Sequence, residues 1–283
     1  MVLIIVTIQQ LIFHGTRAQI VAHGMEFIVT RRRDKLLEFL DLGNNELNDT
    51  FPSWLGALPD LQILSLRSNK LHGPTSDSRK NSSFAQIRVI DLSSNGFTGD
   101  LPVGFFENFQ AMKTIGENSG TREYIADDNS RYYANTLIVT TKGLDLELSR
   151  VLTTNIIINL SRNRFEGVIP ASLQHLSVLE SLDLSSNKIG GEIPQQLTSL
   201  TFLAVLNLSH NHIGGCIPKG KQFDTFDNSS YQGNDGLRGL PLSNDCGGDD
   251  GAPQPTTLVE LDVDEEEGDL IVGKRFSWVS VVV

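Results

Sequence analysis

Few side chains in this sequence are suited to chemistry, and their spacing limits what each can do. His210 and His212 lie in the run Leu-Ser-His-Asn-His that ends at residue 212. Two imidazoles are zinc-ligand types, but no cysteine or carboxylate stands beside them at the spacing of a tetrahedral site. Gly116-Glu-Asn-Ser-Gly120 sets a serine among glycines, yet not in the Gly-x-Ser-x-Gly order of a strained nucleophile turn. Ten carboxylates fall between Asp245 and Asp269 with no lysine or arginine among them, a solvated acidic run. Of the formal net charge of -11, this run carries all but about one unit, so the rest has no bulk field to attract nucleic acid. No catalytic constellation, metal cluster or cofactor motif emerges, which leaves binding. What does recur is asparagine, at Asn45, Asn69, Asn95, Asn163, Asn187 and Asn211. A primary amide both donates and accepts, so its chemistry here is to satisfy buried backbone rather than to turn over a substrate.

A repeated template positions those amides. Leu-x-x-Leu-x-Leu-x-x-Asn-x-Ile occurs as Leu179, Leu182, Leu184, Asn187, Ile189 and again 24 residues later as Leu203, Leu206, Leu208, Asn211, Ile213. Earlier copies run through Leu37 to Leu47, Leu61 to Leu71 and Ile87 to Phe97, and another through Ile158, Leu160, Asn163 and Phe165. A short fixed period of this composition marks a leucine-rich repeat. The fold class expected is an α/β-type solenoid, a right-handed superhelix. Parallel strands line its concave face, and irregular or 3-10 segments line its convex face. Alternation turns the leucines of each strand inward and the residues between them outward. The outward set begins with Phe39, Ile63, Val89 and Ile157. Its central column is Asp41, Ser65, Asp91, Asn159, Asp183 and Asn207, which is polar and rather uniform. Losing one ladder asparagine should cost about 1–3 kcal/mol for the backbone groups left unpaired.

The pattern divides the chain into a non-repeat leader (1–36), three repeats (37–103), an island insertion (104–154), three repeats (155–217), a C-terminal cap (218–247) and an acidic tail (248–283). Met1 to Phe13 is apolar but lacks the basic start of a signal peptide. Arg31-Arg32-Arg33, beside Asp34, reads as a solvated edge. The island is polar and aromatic, and Thr136 to Leu148 alternates like a strand pair turning at Lys142-Gly143. Because it escapes the packing constraint of the repeats, it is a candidate functional loop. Five N-glycosylation sequons start at Asn48, Asn81, Asn159, Asn207 and Asn228.

The segments Phe97–Pro102, Phe165–Pro170, Ile189–Pro194 and Ile213–Pro218 carry a further recurrence, apolar-x-Gly-x-(Ile/Leu)-Pro. This resembles the plant extracellular leucine-rich repeat, over residues 37 to 218. The island resembles that of plant receptor-like proteins, in which a tyrosine precedes a Lys-Gly pair. The resemblance makes Tyr133, Lys142 and Gly143 candidate docking residues for leucine-rich-repeat co-receptor kinases. The segment from Cys216 to Cys246 resembles the C-terminal cap of Cf-type plant disease-resistance receptors. It implies an extracellular setting and a disulfide between these two cysteines, worth about 3–4 kcal/mol by loop closure. In that family an acidic stretch precedes one membrane helix. Here only the eight residues Phe276 to Val283 follow Lys274-Arg275, against the roughly 20 needed to span a bilayer. The expectation is therefore a C-terminal fragment or truncated paralogue, soluble outside the cell or peripherally held, of a receptor sited at the plasma membrane. The role implied is a ligand-binding and co-receptor-docking ectodomain in defence or developmental signalling, for a protein or peptide ligand, without catalysis, cofactor or nucleic acid. Two other readings stand beside it: a soluble inhibitor of a secreted wall-degrading enzyme, and a non-functional or decoy truncation product.

Overall fold

Leucine or isoleucine at alternate positions gives each turn three extended residues with one side chain driven inward between two that face out. The computed structural model describes residues 18–22, 25–30, 37–75, 84–114, 137–141, 144–148, 152, 154–243 and 246. Six short strands form where the template predicts them. They are β3 (Phe39–Asp41), β4 (Ile63–Ser65), β6 (Val89–Asp91), β10 (Ile157–Asn159), β12 (Ser181–Asp183) and β13 (Val205–Asn207). They pair in parallel in that order, each in register with the equivalent residue of the next turn. The inner leucines Leu64, Leu92, Leu184 and Leu208 are all 0% exposed, in one continuous apolar core. This is a leucine-rich-repeat solenoid.

The residues before the first repeat add to its sheet without belonging to it. Strands β1 (Ala18–Ala22) and β2 (Met25–Thr30) form an antiparallel hairpin, and β2 pairs antiparallel with β3, Val29 opposite Leu40. The hairpin thereby takes up the backbone hydrogen bonds of the β3 edge, which would otherwise be open.

A second parallel ladder runs beside the first, through β5 (His72–Pro74), β7 (Gly96–Asp100) and β11 (Arg164–Glu166), and resumes as β14 (Gly214–Cys216) with β15 (Gly236–Arg238). It follows the Gly-x-(Ile/Leu)-Pro recurrence. Gly167 and Gly215 hold φ of +75° and +76°, and a Cβ on either would lie 2.3 Å from Asp100 Oδ1 or 2.8 Å from Glu192 Cγ. Glycine is needed there for the backbone angle and for the side chain of the preceding turn. The prolines that follow start the convex segments: 3-10 turns at Ser53–Ala57, Ala171–His175 and Gln195–Ser199, whose Leu55, Leu173 and Leu197 point into the core.

Turns three and four stack directly across the island: β6 pairs with β10, and Phe97 stacks on Phe165 at 6.3 Å. The backbone N–H of Phe97 donates to Asn163 Oδ1 at 3.1 Å across 66 residues of sequence. The island is shorter than residues 104–154. Helix α1 (Val103–Asn108) and the 3-10 turn Gln110–Met112 form the convex side of the third turn, burying Phe105, Phe106, Phe109 and Met112. Their aromatic side chains pass in sequence for part of an irregular insertion, but they substitute for the leucine that lines the convex side of other turns. Within the insertion, β8 (Leu137–Thr141) and β9 (Leu144–Leu148) form an antiparallel pair, Thr141 opposite Leu144.

Candidate binding surface

Two hydrogen-bond ladders build the edge of the concave sheet, one along each side of the turn that leaves every strand. The first is the asparagine ladder. Asn187 shows its unit: Nδ2 donates to the carbonyls of Leu184 (3.0 Å) and Ser185 (3.2 Å) in its own turn and of Leu160 (3.0 Å) in the turn before. Its Oδ1 accepts from the N–H of Phe165 at 3.0 Å. Asn69, Asn95, Asn163 and Asn211 repeat this pattern, while Asn45 bonds to Leu42 and Gly43 within the first turn. A seventh rung, Asn234, lies in the cap. It accepts from Ile213 N–H at 3.0 Å and donates to Leu208 O at 3.0 Å. Tyr231, 0% exposed, takes the place of the inner leucine, so the cap is a modified seventh turn rather than an unrelated lid. The spacing Tyr231-x-x-Asn234 matches Leu-x-x-Asn and was the signal for it.

The second ladder is the polar central column, which the sequence reading placed facing outward as a surface. Asp91, Asn159, Asp183 and Asn207 are instead 0–6% exposed. Each Oδ1 accepts from the backbone N–H of a serine two residues on, as Asp183 does from Ser185 at 2.9 Å. The serine hydroxyl of three of these turns donates to the same oxygen at 2.7 Å. These residues therefore close Asx-type turns at the strand exit and are committed to the fold. Asn207 Nδ2 also donates to Asp183 Oδ2 at 3.1 Å, tying the fifth and sixth turns together. Phe39, Ile63 and Val89, also expected to face outward, are 0% exposed. Alternation decides which side of a strand a residue takes, not whether that side is wet, and these side chains are apolar enough to be drawn out of water.

Burial sets the electrostatics of this column. Asp91 is pushed up to about 6, chiefly by desolvation; its bonds to Ser93 and the charge of Arg67 oppose the rise, while Asp41 adds to it. Its Oδ2 and the neighbouring Ser65 Oγ are buried without hydrogen-bond partners. Asp183 is raised as well, chiefly by desolvation, while Ser185, Asn207 and Arg162 favour its charged form. Glu180 is raised by burial too.

The remaining sequence candidates separate. Cys216 and Cys246 are disulfide-bonded, with Cα atoms 5.9 Å apart. Asn48 and Asn228 are exposed, but Asn159 and Asn207 are 1% and 6% exposed with their side chains hydrogen-bonded in the column. A sugar on either would have to displace these hydrogen bonds, since attachment uses the amide nitrogen that the fold buries. Asn81, Tyr133, Lys142 and Gly143 lie outside the described residues. His210 and His212 are exposed, and among the described residues no group of histidine, cysteine and carboxylate side chains is placed to hold a metal ion. Nor is any helix among them long and apolar enough to cross a membrane.

Comparison with known proteins agrees with the architecture. Leucine-rich-repeat family profiles match residues 157–213, and 36–58 with 86–108. The receptor-like protein Cf-9 of Solanum pimpinellifolium and a Cf-9 homolog of Solanum lycopersicum are each 57% identical over 234 residues, 74% of this chain. Receptor-like protein 18 of Arabidopsis thaliana is 43% identical over 145 residues, half of this chain and 17% of its own length. The chain spans about a quarter of the length of the Solanum relatives. Among solved structures, it is similar to the leucine-rich-repeat ectodomain of the plant membrane receptor kinase GASSHO1/SCHENGEN3 from Arabidopsis thaliana, in complex with CASPARIAN STRIP INTEGRITY FACTOR 2. That match has a TM-score of 0.50 and 28% identity, covering 71% of this chain and 19% of the other. It is also similar to the plant peptide hormone receptor RGFR1 in complex with RGF2, at TM-score 0.50 and 25% identity over 71% of this chain and 25% of that one. By sequence identity, repeat register and fold together, the chain is a leucine-rich-repeat segment similar to part of the plant receptor-like proteins.

Proposed function

We propose that the chain serves as part of an extracellular ligand-binding ectodomain on the outer side of the plasma membrane, in defence or developmental signalling and without catalysis of its own. A protein or peptide ligand is the expected class, as both solved receptors above are bound to peptide or protein factors. The island and the last three turns together form the docking surface for a membrane co-receptor kinase. The observation that carries this reading is the unbroken ladder from β6 to β10. A solenoid that stacks its third turn on its fourth has no structural need of the intervening segment, which is then free to serve recognition. Tyr133, Lys142 and Gly143 are the residues to test within it. Replacing Tyr133 and Lys142 together with alanine should abolish co-immunoprecipitation of the co-receptor kinase while leaving secretion and melting temperature unchanged. Undiminished association of the double variant counts against the reading.

A further inference from the structure

We propose that the edge of the solenoid carrying Arg162, Arg164, Lys188, His210 and His212 docks an acidic segment of a protein partner. These residues flank the ladder asparagines of the last three turns: Arg162 and Arg164 on either side of Asn163, Lys188 after Asn187, His210 and His212 around Asn211. All five side chains are exposed. Neighbouring turns of a parallel ladder are about 4.8 Å apart, so the five basic groups fall in two adjacent columns about 10 Å long.

The same columns on the first two turns supply a comparison. There Glu46 and Lys70, at the position after the ladder asparagine, pair with each other at 3.5 Å. On the last three turns neither column contains a carboxylate, and the Arg164 and Lys188 side chains have no ion pair or hydrogen bond among the described residues. Glu166 shares the outer face of β11 with Arg164 but forms no ion pair with it, and Asp235 follows only in the cap. Arg162 does act on buried Asp183, as a charge rather than a hydrogen-bonded partner.

The fold does not ask for these side chains. Arg162 and His210 hold φ of +52° and +56°, an angle the other turns fill with Asn44, Ser68, Ser94 and Ser186, and the cap with Gly233 at +75°. Small or turn-forming residues meet that backbone requirement at lower strain. Arg162 and His210 are exposed beside two unpaired cations, and the His210 ring lies over Gly233 of the cap, so neither belongs to the apolar core. They do create a short positive field on a chain whose net charge is -11. A basic edge only about 10 Å long matches a short acidic stretch of protein that touches this edge alone. The inference rests on the proposed binding role for there being a protein partner, and adds where that partner's charge must lie.

The test uses the full secreted chain and three immobilised probes: a ten-residue Glu/Asp-rich peptide, its Gln/Asn counterpart, and polygalacturonate. Wild type should bind the acidic peptide at least tenfold more tightly than the neutral one, with affinity falling as salt rises. R164E/K188E should lose at least tenfold, whereas K70E, in the column already paired with an acid, should leave binding unchanged. Equal binding of the two peptides, equal binding by R164E/K188E and wild type, or preference for polygalacturonate overturns the proposal. If R164E/K188E is not secreted, the neutralising pair R164Q/K188Q takes its place, with a smaller loss expected. Co-receptor association is scored separately in the Tyr133/Lys142 alanine variant, so that failure of the docking role and failure of this charge assignment give different results.

Discussion

Asp91→Asn should make the chain more stable at neutral pH, and the gain should disappear in acid. Asp91 is fully buried, and its carboxyl sits at about 6 against an ordinary value of 3.8. Below 3.8 folded and unfolded chains both hold the proton, and the residue contributes no pH dependence. Between 3.8 and about 6 only the folded chain retains it, so stability falls as pH rises, by up to 1.36 kcal/mol per unit. Above about 6 the loss levels off at roughly 3 kcal/mol, the product of that slope and the interval of about two units. Asparagine cannot ionise, and the column already accommodates it at Asn159 and Asn207. Its new amide group would face Ser65 across the β4–β6 register, where Ser65 Oγ lacks a partner. Urea denaturation of both proteins from pH 4 to pH 7.5 measures the difference. The stability of the variant minus that of wild type should grow by roughly 3 kcal/mol across this range. A difference that stays flat with pH would refute the assignment of a buried, proton-retaining carboxyl.

Three further outcomes follow from the ladders and the cap. Asn187→Ala removes an acceptor from Phe165 N–H and donors from three carbonyls, and should cost on the order of 3 kcal/mol in urea denaturation; a cost under about 0.5 kcal/mol would show that the ladder is ornamental. Peptide mapping of the secreted protein should find glycans at Asn48 or Asn228 and none at Asn159 or Asn207, because burial withholds the latter two from an attached sugar. Cys216→Ser should lower stability by about 3–4 kcal/mol, as the bond closes a span of 30 residues; two free thiols in the secreted wild-type chain would contradict the pairing.

The insertion shows how the solenoid tolerates an interruption. Phe97 and Asn163 meet across it, and so do Ser94 N–H and Ser161 O at 3.0 Å. On the convex side, Val178 N–H reaches Met112 O at 3.3 Å and the Ser177 hydroxyl reaches Lys113 O at 2.6 Å. The N-terminal end of the insertion is therefore fastened to the next turn. The entropic cost of closing a long loop grows only logarithmically with its length, so such contacts offset it.

The sequence alone determined what repeats within one turn. The 24-residue period set six strands, their inner leucines and the asparagine ladder, because each of these is a relation between a residue and its equivalent one turn away. That relation is local, and side-chain type and alternation suffice to write it. Tertiary structure decided whatever depends on more than one turn at once. It joined β6 to β10 across the insertion, a contact no period of 24 encodes. It assigned Phe105, Phe106 and Phe109 to the core, where an irregular spacing hid them. It also withdrew Asp91, Asn159, Asp183 and Asn207 from the surface, since exposure depends on what surrounds a strand face and not on the strand's own pattern. Asn234 lies between these cases: its four-residue motif is in the sequence, but only stacking of the cap on the sixth turn gives it the backbone groups to satisfy.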